Sequence, residues 1–126
     1  MVGRRHAGFT LIELLVALAI MSLLMSLVLP RYFGSLARAE EIVLKENLAL
    51  LRDALDKHFG DTGKYPASIE ELVSNKYLRA VPVDPITQSA TTWVAVPPAD
   101  ASLGGVSDVR SGATGGGRDG KPYEHW

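Results

Sequence analysis

The sequence predicts an α+β fold in which a long amino-terminal helix packs on a small head carrying a short helix and a small antiparallel sheet. Three observations predict it. Residues 9–29 form an apolar run with Glu13 as its only charge. A second stretch, up to residue 59, repeats apolar side chains every three or four positions, the period of one helix face. Beyond residue 60, short segments rich in Val, Thr and Trp alternate with Gly and Pro, as brief strands and turns do. The chain thus divides into a basic stretch (1–8), a membrane-length helix (9–30), an amphipathic helix (31–59) and a small head with a glycine-rich C-terminal loop (60–126).

At 126 residues there is room for one small domain, and part of that length goes into the apolar run rather than a core. The formal charge is −1, without the basic surplus that phosphate binding favours, which argues against a nucleic-acid partner. There is no cysteine, hence no disulfide, no thiolate metal site, no cysteine nucleophile and no attachment point for a lipoprotein anchor.

The run from Phe9 to Leu29 is 21 residues, roughly 30 Å of helix and enough to cross a bilayer core. A conventional secretory signal would also begin with Arg4 and Arg5 and offer Ala17-Leu18-Ala19 as an exit site. Cleavage there, however, leaves ten largely apolar residues at the head of the mature chain. Gly8-Phe9-Thr10-Leu11-Ile12-Glu13 instead resembles the prepilin-peptidase signal of type IV pilins and type II secretion pseudopilins. The resemblance implies cleavage between Gly8 and Phe9, N-methylation of the new Phe9 amine, and survival of the whole helix on the mature protein.

Glu13 needs an explanation in either case, because an acid at the centre of a membrane helix costs about 2.5–3.5 kcal/mol on insertion scales. The resemblance implies a partner, the Phe9 amine of a neighbouring subunit, so that Phe9 and Glu13 together set assembly register. The local alternative is an acid near a helix N-terminus, favoured there by about 0.3–1 kcal/mol and reaching back to water. Pro30 removes one intrahelical hydrogen bond and should kink the helix or stop it; in the pilin-like arrangement the helix continues.

After Pro30, Leu36, Val43 or Leu44, Leu48, Leu51, Leu55 and Phe59 form one apolar stripe. Glu41/Lys45, Arg52/Asp56 and Asp53/Lys57, each four apart, read as solvated pairs contributing about 0.2–0.5 kcal/mol apiece. Gly60-Asp61-Thr62-Gly63 stops the helix. Ser68 and Glu71 form a capping-box pattern for a second helix over Ile69–Leu78. Thr91–Val96 and Val106–Arg110 are the strand candidates, and Tyr65 and Trp93 are expected as core aromatics. Gly63-Lys64-Tyr65-Pro66, the short helix and Val81-Pro82-Val83-Asp84-Pro85 resemble the head of the major pseudopilin of type II secretion.

That resemblance also implies a calcium-binding C-terminal loop, with Asp108, Ser111 and Asp119 as candidate ligands by position and backbone carbonyls completing a shell of about 6–8 oxygens. The acids are sparse, so a loop without metal stays open. Gly115-Gly116-Gly117 lacks the lysine and the strand-to-helix context of a phosphate loop. His6, His58 and His125 suggest no metal triad or nucleophile pair, and no enzyme is expected.

The resemblance as a whole implies a structural subunit of a secretion pseudopilus. Its partners would be copies of itself, a prepilin peptidase, minor pseudopilins and an inner-membrane assembly platform. It would sit as a single-pass protein in a bacterial inner membrane with its head in the periplasm. A minor pseudopilin, a type IV pilin subunit or a monomeric membrane-anchored binding module are the alternatives. Glu13 separates the last, since a monomer has no use for an acid in lipid.

Overall fold

The computed structural model describes residues 8–126; the expected leader, apart from Gly8, lies outside the described residues. The order of elements is α1 (Leu11–Thr62), α2 (Ile69–Ser74), β1 (Val94–Val96) and β2 (Asp108–Arg110), with single 3-10 turns at Ala101–Leu103 and Tyr123–His125. The chain forms two compact units, the first ending at Ala37 and the second running from Arg38 to Trp126. Helix α1 contributes to both.

In the first unit α1 holds together without a core of its own. Its only polar side chains between Leu14 and Leu29 are hydroxyls that bond back to the helix: Ser22 Oγ donates to the Leu18 carbonyl at 2.8 Å and Ser26 Oγ to that of Leu23 at 2.7 Å. Each hydroxyl is thereby satisfied without water, as a helix in lipid requires. Pro30 lies inside the continuous helix, as the pilin-like reading expects. It has no N–H to give the Ser26 carbonyl one turn earlier.

The second unit is built around the remainder of α1. Leu44, Leu48, Leu51, Ala54 and Leu55 are buried against Ile69, Leu72 and Leu78, with Trp93, Val106 and Val109 closing the core. The stripe expected from the sequence is narrower than predicted: Leu36 stays exposed and Phe59 half-buried, Leu44 rather than Val43 is the buried member of that pair, and His58 is buried as well. His58 Nδ1 lies 2.7 Å from the Lys64 carbonyl and Nε2 3.4 Å from Asn75 Nδ2. It therefore ties the end of α1 to the end of α2. The helix runs through Gly60 and ends at Thr62, where Gly63 takes φ +73° and donates to the Phe59 carbonyl at 2.8 Å; glycine suits that left-handed position.

Helix α2 is shorter than expected. It ends at Ser74 because Lys76 adopts φ +65°, and the Lys76 and Tyr77 amides fold back onto the Val73 and Leu72 carbonyls at 3.1 and 2.9 Å. These paired bonds form a Schellman stop, which usually uses glycine. At the start of α2 neither bond of the box forms, the acid reaching one residue past the cap. Glu71 Oε2 accepts from the Ala67 amide at 2.5 Å, while the Ser68 side chain makes no capping bond.

Strands β1 and β2 pair antiparallel in the register Val94↔Arg110, Ala95↔Val109, Val96↔Asp108. Both are shorter than the sequence pattern suggests. Thr91 and Thr92 instead bond side chain to side chain with Ser89 and Thr87, which commits that stretch to a turn. Trp93 is a core aromatic, as expected, and its Nε1 donates to the Pro82 carbonyl at 2.7 Å. Tyr65 is half-buried and stacks on Phe59 with ring centroids 4.6 Å apart.

Candidate functional site

Two regions carry the residues singled out by sequence: the start of α1 and the C-terminal segment. Gly8, Phe9 and Thr10 are exposed and lie just before the helix. A Cβ added at Gly8 would meet nothing within 4 Å among the described residues, so nothing in the described fold demands glycine there. Phe9 is 83% exposed. The peptide bond between the two is presented rather than packed.

Thr10 is the residue that sequence reasoning missed. Its Oγ1 accepts from the Glu13 amide at 3.2 Å, which makes Thr10 the N-cap of α1 and Glu13 its third helical residue. Thr10-x-x-Glu13 has the same capping-box spacing as Ser68-x-x-Glu71, a signal visible in the sequence. Glu13 is thereby fixed in the first turn, where unbonded amides and the helix dipole favour a carboxylate. Around it, Leu11 is 80% and Ile12 71% exposed, and every apolar side chain from Leu14 to Leu29 is exposed as well. This half of α1 is long and apolar enough to cross a membrane.

At the other end of the chain, the structure gives each calcium candidate a partner within the protein. Asp108 Oδ1 accepts from Arg52 Nε at 2.9 Å and from the Val109 amide at 2.8 Å. Ser111 is buried, and its Oγ donates to Asp84 Oδ2 at 2.5 Å. Asp119 Oδ1 accepts from the Lys121 amide at 3.0 Å. Among the described residues, no three His, Cys, Asp or Glu side chains gather around one point. As arranged, each candidate is engaged within the protein, and only two of the three are carboxylates, against the about 6–8 oxygens that calcium collects.

The glycine-rich segment is nonetheless ordered. Gly117 donates to the Lys121 carbonyl at 2.9 Å and Tyr123 to that of Gly115 at 3.1 Å. The Trp126 ring lies so close over Gly117 that a Cβ there would collide with it. Its Nε1 donates to the Lys121 carbonyl at 3.2 Å.

The charged side chains of α1 differ from the sequence reading. Only Asp53 and Lys57 form their expected pair, at 3.0 Å. Glu41 Oε1 accepts from the Arg118 amide at 2.7 Å, Lys45 Nζ lies 5.0 Å from the Trp126 ring centroid, and Arg52 pairs with Asp108. The spacing of four and then seven residues places Glu41, Lys45 and Arg52 within about 40° on the helix, a signal present in the sequence but without its partners.

Comparison with known proteins bears first on the start of α1. A family model described as the prokaryotic N-terminal methylation motif matches residues 3–29. The chain is similar to type II secretion system core protein G of Klebsiella pneumoniae, 32% identical over 98 residues covering 65% of this chain and 70% of that protein. It is 34% identical to core protein G of Pseudomonas aeruginosa over 98 residues, covering 65% and 69%. Against core protein G of Aeromonas hydrophila it is 35% identical over 69 residues, spanning 55% of this chain and about half, 48%, of that protein. No solved structure matches.

Proposed function

We propose, for a chain that belongs to the family of type II secretion system core protein G, that it is a structural subunit of a secretion pseudopilus which polymerises through the first half of α1. The observation that carries this reading is Glu13 in the first turn of a helix whose apolar side chains are all exposed through Leu29. A bilayer covers such a surface, but it penalises the carboxylate. A second copy covers the same surface and brings an amine to the acid.

In this account a prepilin peptidase cuts between Gly8 and Phe9, the Phe9 amine is methylated, and Glu13 pairs with that amine on a neighbouring copy. The subunit is held in the bacterial inner membrane by one span, with the head in the periplasm, and works with minor pseudopilins and an assembly platform. Pro30 supplies a point of bending, because the Ser26 carbonyl lacks the bond that any other residue at 30 would make. Family membership supports a structural role over catalysis.

Mass spectrometry of the membrane-extracted protein tests the processing step. The expected N-terminus is a methylated Phe9, with the formal charge moved from −1 to −3 by the loss of Arg4 and Arg5. An N-terminus at Ile20, after Ala17-Leu18-Ala19, would overturn it.

A further inference from the structure

We propose that Glu41, Lys45 and Arg52 of α1 fasten the C-terminal segment to the head as a clamp that needs no metal ion. Arg52 carries most of the load. Its Nε holds Asp108 Oδ1 at 2.9 Å, and one terminal nitrogen donates both to the Val109 carbonyl at 3.1 Å and to the Trp126 backbone oxygen at 2.6 Å. One guanidinium therefore gathers a carboxylate and two backbone oxygens from two ends of the segment, oxygens of the kind a calcium ion collects. About two and three turns away on the same face, Lys45 sits against the Trp126 ring and Glu41 takes the Arg118 amide.

Electrostatics point the same way. Residues 108–126 carry three acids, Asp108, Asp119 and Glu124, against three bases, Arg110, Arg118 and Lys121. The side chains of the segment therefore present no negative surplus to a divalent cation. A calcium ion at Asp108 would also sit beside the positive charge of Arg52, and like charges at that range repel. Ser111, the third candidate, is turned inward to Asp84. The segment needs a fastener because Gly112, Gly115, Gly116, Gly117 and Gly120 give it more freedom in the unfolded chain than other residues would.

The test is hydrogen exchange of the full-length chain in detergent, read by mass spectrometry over residues 108–126, together with thermal melts in chelator and in excess calcium. In the wild-type chain, exchange and melting are expected to be the same in both. Arg52→Met is expected to speed exchange in 108–126 by about tenfold, while amides around Leu48 and Leu55 stay protected. Arg52→Lys should recover only part of this, since one ammonium lacks the planar fork. Should Arg52→Met fail to fold, Asp108→Asn provides the same comparison with less change of shape. Slower exchange or a higher melting temperature of the wild type in calcium would overturn the proposal. So would unchanged exchange in both Arg52→Met and Asp108→Asn.

Discussion

Helix α1 serves two regions of the molecule that treat the same kind of side chain in opposite ways. Before Ala37 its leucines lie open on every side; after Arg38, Leu44, Leu48, Leu51 and Leu55 are buried by the head. Leucine and alanine content does not account for the contrast, because both halves are rich in them. Patterning does. The first half is apolar all round, and a helix of that kind needs lipid or other helices. The second half is apolar on one stripe and charged elsewhere, which suits a water-soluble core. Stability of the head and assembly of the subunit should therefore respond to different halves of one helix.

Leucine truncations test that separation with the largest effect. Leu51→Ala should lower the stability of the head by about 2–5 kcal/mol, whereas Leu23→Ala should change it by no more than about 0.5 kcal/mol. Denaturant titration of Trp fluorescence reads both, and equal losses would break the comparison. Asp84→Ala comes next. It removes a buried carboxylate that accepts from Ser111 and from the Ile86 amide, and should cost about 1.5–3 kcal/mol without altering membrane association.

Lys76→Gly should go the other way. At φ +65° a side chain is strained by about 1–2 kcal/mol, so the variant should melt at a higher temperature; a lower one would show that the lysine side chain contributes more than the backbone loses. The smallest effect concerns pH. Tyr77 donates to Asp61 Oδ2 at 2.8 Å, and that bond, with smaller contributions from desolvation and the Asp61 charge, raises its pKa above the usual value. The bond's contribution is thus fully present below about pH 10 and is lost as pH rises through the higher folded value. An ultraviolet titration should show Tyr77 moving back toward the ordinary value in Asp61→Asn.

Much of this arrangement can be read from residues that speak for themselves. The apolar run, the Gly8-Phe9 junction, Glu13 and the leucine stripe each rest on local spacing, and local spacing is what a sequence displays. The end of α2 was hidden because Lys76 occupies a position where glycine is the usual signal. The first strand starts late because Thr91 and Thr92 spend their hydroxyls on Ser89 and Thr87. The partner of Arg52 was out of reach for a different reason. Asp108 lies 56 residues away, while Asp56 stands at the ideal helical distance and makes no pair with it in the structure. Long-range polar contacts leave no periodic trace, and the clamp on the C-terminal segment is made of them.

Assembly through the first half of α1 can be measured by cross-linking, since the chain contains no cysteine and one introduced at Val16 reports only on neighbouring copies. In membranes, Val16→Cys is expected to yield a ladder of disulfide-linked species. Adding Glu13→Ala should abolish the ladder while leaving membrane insertion and the melting temperature of the head unchanged, because Glu13 is exposed in the single chain and takes no part in the core. An undiminished ladder from the Glu13→Ala protein would contradict the pairing of Glu13 with the Phe9 amine of a neighbouring copy.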